Sequence, residues 1–136
     1  ARHFKMVAEN SPLRSQGRIV VVGSIMGYFA SVGTYAYAMS KAAVDHLVRC
    51  LAKELAPYKV NVNAVLPGWI DTPGERKFNS EEDIENFGKG IPWKRLGTSE
   101  EVGNAVYFLS SSESEYITGS SLVVDGGYMV GLSLPK

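Results

Sequence analysis

Ile19-Val20-Val21-Val22 restricts the fold of this chain more than any other feature: four β-branched residues in a row, with no polar side chain among them to face water. A strand that is apolar on both sides belongs inside a sheet covered on both faces, which is the habit of parallel sheets. A parallel neighbour requires a crossover, and the sequence supplies one. A long helix is expected from Thr34 to about Ala56, because Val44, Leu47, Val48, Leu51 and Leu55 recur at three- and four-residue steps and Pro57 stops the pattern. Val60 to Val65 reads as the second strand, ended by Pro67-Gly68, and Ser121 to Val124 as a third, closed by Asp125-Gly126-Gly127. Thr98 or Ser99 caps a further helix running to about Leu109, with Glu100 and Glu101 in its first turn. A short helical turn is expected around Ser112 to Tyr116.

The connections carry the remaining signals. Residues 1–10 read as the last turns of a helix, followed by a loop punctuated by Pro12 and Gly17, and residues 24–34 form a loop bearing Gly and Ser. Residues 71–93 are polar and charged and contain Gly74, Gly88 and Gly90; a stretch this long predicts a mobile lid holding a short helix. Strands alternating with helices indicate an α/β sheet with right-handed crossovers.

Composition removes several function classes. Fourteen basic and fourteen acidic residues cancel, so there is no electrostatic case for nucleic acid or an anionic membrane surface. No apolar run is long enough for a membrane span, and no charged-then-apolar leader stands at Ala1, so neither membrane insertion nor secretion is expected. Cys50 stands alone, which precludes an intrachain disulfide and fits a cytoplasmic setting. His3 and His46 lack neighbours at metal-ligand spacing, so no metal site is expected.

The residues that carry chemistry are Tyr37 and Lys41. In Tyr37-Ala-Met-Ser-Lys41 the phenol and the ammonium sit at i and i+4, stacked on one helix face. A free tyrosine has a pKa near ~10, too high for a base at neutral pH. A cation about 4 Å away contributes roughly 4 kcal/mol at an effective dielectric of ~20, enough to offset a shift of two or three units after the opposing desolvation. Such a pair in a half-buried cleft supplies a general base near working pH. An isolated Y-x-x-x-K match is more often a packed aromatic beside a solvated charge. Here Ser24 stands thirteen residues earlier, just past the end of a predicted strand, where its hydroxyl can bond the substrate oxygen while Tyr37 moves the proton.

With these residues the chain resembles the short-chain dehydrogenase/reductase family, whose catalytic serine, tyrosine and lysine share this spacing. Gly17-Arg-Ile-Val-Val-Val-Gly-Ser24 looks like the family's strand into its serine, and Tyr37-Ala-Met-Ser-Lys-Ala-Ala43 like its active-site helix. Val60-Asn-Val-Asn-Ala-Val-Leu-Pro-Gly68 is similar to the next strand and its turn, and Leu122-Val-Val-Asp-Gly-Gly127 to the last strand. The resemblance implies a Rossmann-like doubly wound parallel sheet, of which residues 1–136 are the C-terminal half, starting inside the fourth helix of the domain. The glycine-rich turn, the residue choosing NAD or NADP and a relay asparagine would precede Ala1. A half-sheet of this kind exposes an apolar edge and face.

The resemblance also implies roles. Tyr37 would be the acid/base, Lys41 would lower its pKa and hold the nicotinamide ribose, and Ser24 would orient the substrate oxygen. Pro67 and Gly68 form the turn covering the nicotinamide of NAD or NADP, Ile70 offers backbone contacts to its carboxamide, and Thr72 bonds near the nicotinamide or phosphate. Asn63 is expected to be structural, bonding backbone between strands. The implied reaction is hydride transfer between the nicotinamide and a small alcohol or carbonyl substrate, a sugar or polyol among the candidates, within a homo-tetramer or homo-dimer that uses Ala42, Ala43, Val44 and Leu47.

Other residues are set aside. Tyr35 has Met39 four residues on, and packing is its expected role; core or interface packing is expected for His46 and Cys50. Trp69 and Trp93 flank the lid, either lining a pocket or packing under it. Gly23-Ser-Ile-Met-Gly27 lacks the glycine pair of a phosphate loop, and Gly88-Lys-Gly90 runs into Ile91-Pro92 and opens no helix. Three rival readings stand beside the dehydrogenase: a non-catalytic binding or assembly subunit, a 3-oxoacyl-thioester reductase, and an isomerase or dehydratase on the same fold.

Overall fold

The computed structural model describes residues 17–131; the helix expected over 1–10 and the loop at Pro12 lie outside them. Strands β1 (Gly17–Val22), β2 (Val60–Pro67) and β5 (Ser121–Val124) form one parallel sheet in the order β1-β2-β5. Helix α1 (Tyr35–Leu55) links the first two strands. Between β2 and β5 the chain makes β3 (Ile70–Asp71), α2 (Glu75–Phe78), α3 (Glu81–Gly90), β4 (Gly97–Thr98) and α4 (Ser99–Ser110), and α5 (Tyr128–Gly131) follows β5. Among the described residues no helix is long and apolar enough to cross a membrane.

β2 is the centre of the sheet, and its residues from Val60 to Leu66 are all buried. Alternation assigns its two faces. Val60, Val62, Ala64 and Leu66 pack with Val48, Ala52 and Leu55 of α1 in a single core. Asn61, Asn63 and Val65 point the other way, toward α4 and the segment that leads into β5. Helices therefore cover both faces of β2, the doubly wound arrangement. β1, expected to be buried on both faces, is only partly buried, with Val22 50% exposed, because among the described residues it pairs with β2 alone and forms the edge of the sheet. Full burial of each such aliphatic side chain contributes about 1.5–3 kcal/mol.

Two asparagines on the second face fix how the chain returns to the sheet. Asn61 Nδ2 donates to the carbonyls of Glu115 and Ile117 (2.9 and 2.7 Å). Asn63 Nδ2 donates to Ile117 O (2.8 Å), and its Oδ1 accepts from Ser120 N–H (3.1 Å). The structural role expected of Asn63 is what this geometry provides.

α1 turns most of the predicted apolar face inward, with Val48 and Leu55 buried and Leu51 packed against them, but Leu47 is left outside and Asp45 takes a buried place. Asp45, Val48, Ala52 and Leu55 are buried, whereas Leu47, His46 and Cys50 are exposed. Tyr35 is also 75% exposed, so neither it nor His46 nor Cys50 packs in the core of this chain. The physical reason is Asp45, 3% exposed, whose carboxylate accepts from the Ser121 hydroxyl of β5 and pairs with Arg49 one turn on. Burial pushes this carboxyl up, but hydrogen bonding from Ser121 and Tyr28 and the Arg49 guanidinium outweigh it, holding the group below the usual carboxylate range.

The stretch predicted as a mobile lid with one short helix holds two helices, framed by a small parallel pair, β3 with β4. Ser80 and Asp83 form a reciprocal capping box at the start of α3, and Thr98 and Glu101 form another at α4. Arg95 adds a two-pronged ion pair to Glu101 (2.9 and 2.6 Å) and lies 5.6 Å from the ring centre of Trp93. The Arg95 guanidinium, then the Thr98 N–H, pull the Glu101 carboxyl down to about 2. A depressed folded-state value means this contribution to stability is complete above 4.5, the ordinary glutamate value, and is lost as pH falls through about 2. Glu101→Gln is therefore expected to be less stable than the parent near neutral pH, with the difference shrinking as the pH drops below ~4. Tryptophan fluorescence through an acid titration reads this; a difference that stays constant down to pH ~2 would contradict the linkage.

Candidate active site

The end of β1 delivers Ser24. Gly23 N–H extends the ladder to Val65 O (2.8 Å), and Ser24 follows in extended conformation as the cap of a 3₁₀ turn over Ile25–Gly27. Its Oγ accepts from Met26 N–H (3.2 Å), and among the described residues the hydroxyl proton has no acceptor, so it is available to a ligand. Gly27 sets the distance between this turn and α1. A Cβ at Gly27 would fall 2.9 Å from Ala42 N and 3.0 Å from the Lys41 carbonyl carbon, closer than real contacts allow. The turn thus rests directly on the helix backbone beside Lys41, and glycine permits it.

Tyr37 sits in the first turn of α1, half exposed, with Lys41 one turn later. Lys41 Nζ lies 5.5 Å from the Tyr37 ring centre and donates to Val22 O (3.3 Å). That bond ties the ammonium to the last residue of β1, just before Ser24, and leaves its other protons free. Ser24 and Tyr37 line one cleft of about 320 Å³. The three residues singled out from sequence therefore converge, held by the end of one strand and one helix face, at the C-terminal end of parallel strands where ligands bind in such sheets.

The far wall comes from the segment after β2. Pro67 closes the strand opposite Val124, and Gly68 N–H donates to Val124 O (2.9 Å). A Cβ on Gly68 would reach 2.7 Å from that of Asp125, so this turn is pressed against the one after β5. There Asp125 accepts from Gly127 N–H and Met129 N–H (both 2.8 Å), while Gly126 and Gly127 take positive φ (61° and 84°). Ile70 pairs with Gly97, whose N–H donates to Trp69 O (2.9 Å). In a parallel pair this register turns Ile70's own N–H and C=O to the opposite edge, away from β4. Thr72 is placed at the root of the lid, its Oγ1 accepting from Glu75 N–H (3.2 Å).

Two cleft residues, Phe29 and Thr34, were not singled out from sequence, whereas Glu75 and Asn79 belong to the polar lid surface that suggested a sugar or polyol. Phe29, Thr34, Glu75 and Asn79 line the same cavity, with Gly68 and Trp69. Trp69 fulfils both of its expected roles, stacking on Phe87 (4.6 Å between ring centres) while facing the cleft. Trp93 lies elsewhere, beside Gly126 and Arg95. The Glu75/Asn79 spacing of four residues was the available signal.

Comparison with known proteins agrees with this arrangement. A family model described as enoyl-(acyl carrier protein) reductase matches residues 2–129. The chain is 40% identical over 123 residues to the 3-oxoacyl-[acyl-carrier-protein] reductase FabG of Buchnera aphidicola subsp. Schizaphis graminum, covering 90% of this chain and 50% of that protein. It is 40% identical over 131 residues to oxidoreductase UcpA of Escherichia coli, covering 90% and 50%. Among solved structures it superposes on the aldohexose dehydrogenase of Thermoplasma acidophilum with a TM-score of 0.80 and 36% identity, covering 88% of this chain and 51% of that one. A structure from Agrobacterium tumefaciens with bound NADP, provisionally assigned as a 2-deoxy-d-gluconate 3-dehydrogenase, gives 0.78 and 32%, covering 84% and 47%. The chain spans about half the length of the curated relatives it matches. With its parallel sheet and with serine, tyrosine and lysine brought to one strand end, the chain belongs to the short-chain dehydrogenase/reductase family.

Proposed function

We propose that this chain forms the catalytic half of an NAD(P)-dependent oxidoreductase that interconverts an alcohol and a carbonyl compound. The observation that carries the reading is the convergence of Ser24 and Tyr37 on one cleft, with the Lys41 ammonium beside the Tyr37 ring. A structural helix has no use for that trio, which argues against a non-catalytic subunit.

The residues present fit a nicotinamide. Lys41 keeps donors free for a ribose diol, the outer edge of Ile70 offers an N–H and a C=O to a carboxamide, and Pro67-Gly68 forms a close-packed turn above the cleft. Thr72 still has a hydroxyl proton to give although its oxygen caps α2. When bound, the nicotinamide supplies the two-electron partner that exchanges hydride with the substrate carbon. The protein's own part is proton chemistry. Ser24 donates a hydrogen bond to the substrate oxygen and fixes it near Tyr37. In the oxidative direction the Tyr37 phenolate accepts the alcohol proton; in reduction the phenol returns it to the carbonyl oxygen. Lys41 places a positive charge beside the ring that moves the proton.

Reduction of a 3-oxoacyl thioester is the second reading, favoured by the relatives named for that activity. Assembly as a homo-tetramer or homo-dimer would bury Ala42, Ala43 and Leu47 on the outer face of α1. The free thiol of Cys50 suits a reducing compartment such as the cytoplasm. Titration of the full-length protein with NADH and NADPH, followed by nucleotide fluorescence, tests the reading: saturable binding of one of them is expected, and no binding of either would overturn it.

A further inference from the structure

We propose that Glu75 selects a neutral, polyhydroxylated substrate by accepting a hydrogen bond from a hydroxyl next to the reacting one. This rests on the oxidoreductase reading and adds the residue that discriminates among alcohols. Glu75 lines the same cleft as Ser24 and Tyr37, and its carboxylate is held by a hydrogen bond from Asn79. Asn79, one turn on, donates from Nδ2 to both Glu75 Oε2 (3.1 Å) and the Glu75 carbonyl (3.0 Å). Among the described residues Oε1 has no donor, so one carboxylate oxygen is unused.

The lid around Glu75 is braced. Arg76, the next residue, grips Asp71 of β3 through Nε and a terminal nitrogen (2.7 Å each) and also pairs with Glu81 at the start of α3. Arg76 N–H donates to Thr72 O (3.1 Å), and Thr72 Oγ1 caps Glu75. Asp71 in turn is held below the usual carboxylate range by the Arg76 hydrogen bonds. With Arg76 locked outward on these acids, Glu75 is directed to the cleft side of the four-residue helix.

Chemistry then chooses the ligand. An acceptor-only carboxylate in a cleft recognises O–H donors and repels anions. Among the described residues Glu75 makes no ion pair, and Lys41 does not line this cleft. Phe29 and Trp69 supply apolar walls suited to the C–H face of a ring. A sugar or cyclic polyol brings hydroxyl donors, no negative charge and such a face. An acyl chain can lie on the apolar walls but brings no hydroxyl for Glu75.

The test uses the full-length protein and three substrates: a hexose, cyclohexanol, and a 3-oxoacyl thioester. The expected result is a kcat/KM favouring the hexose over cyclohexanol, and a fall in that ratio of roughly 10- to 100-fold in Glu75→Ala, the range for losing a charged hydrogen bond. Glu75→Gln, which keeps an acceptor and the Asn79 contact, is expected to fall between the two. A ratio unchanged in Glu75→Ala, or a parent enzyme that prefers the thioester, overturns the proposal while leaving the oxidoreductase reading intact. Absence of turnover on the hexose also overturns the proposal, and only failure to bind NADH and NADPH overturns the oxidoreductase reading as well.

Discussion

Tyr37→Phe in the full-length protein is expected to lower kcat by about 10²-fold or more while leaving the fold and nucleotide affinity nearly unchanged. The argument is local. Tyr37 is half exposed, and among the described residues the only hydrogen bond to it from a side chain, Ser40 Oγ to Tyr37 O (2.7 Å), goes to its backbone, which phenylalanine keeps. The aromatic ring also remains beside the Lys41 ammonium. What disappears is the transferable proton at the point where Ser24 and Tyr37 meet on the cleft. Loss of an interaction made only in the transition state lowers kcat and kcat/KM together, without raising KM. Steady-state kinetics alongside circular dichroism separate the two effects. Unchanged turnover in a folded variant would remove Tyr37 from the mechanism, and with it the reason for Lys41's position.

The parts of the fold that could be read from sequence are those set by local chemistry. The run Ile19 to Val22 has only one comfortable environment, and β1 ends at Val22, with Ser24 just beyond it. Ser121–Val124 forms the third strand as read, and Thr98 caps α4 as its hydroxyl and Glu101 require. The Ser24, Tyr37 and Lys41 spacing carried the site, since i and i+4 on a helix must share a face.

What escaped depended on distant partners. β3 and β4 are two residues each, and their pairing joins Ile70 to Gly97 across the entire lid, which no local period encodes. α3 contains Gly88 and Gly90, which lower helix propensity by about 1 kcal/mol each. The fold accepts Gly88 because a Cβ there would press to 3.3 Å from Arg95 Cα. On α1 the apolar spacing chose Leu47, but the buried position went to a charged residue, because Ser121 and Arg49 satisfy Asp45. Glu75 and Asn79 were visible only as polar lid residues until the fold brought them to the cleft that Ser24 and Tyr37 line.

Asn63→Leu is expected to destabilise the full-length protein by about 1–3 kcal/mol, although the two side chains are nearly equal in size. Asn63 is fully buried, so the cost follows from what it leaves behind. Ile117 O keeps its bond from Asn61 Nδ2 (2.7 Å), but the Asn63 bonds to Ile117 O (2.8 Å) and from Ser120 N–H (3.1 Å) are both lost. Each such bond contributes about 0.5–1.5 kcal/mol. The consequence reaches the active site through geometry. Ser120 enters β5, its carbonyl accepts from Ala64 N–H (2.9 Å), and β5 delivers Asp125 against Gly68. A loosened entry to β5 therefore relaxes the turn above the cleft, and nucleotide affinity is expected to weaken along with stability. Urea denaturation at constant m reads the first effect and nucleotide titration the second. A stability within about 0.5 kcal/mol of the parent would show that Ser120 N–H finds another partner and that Asn63 does not hold the return to the sheet.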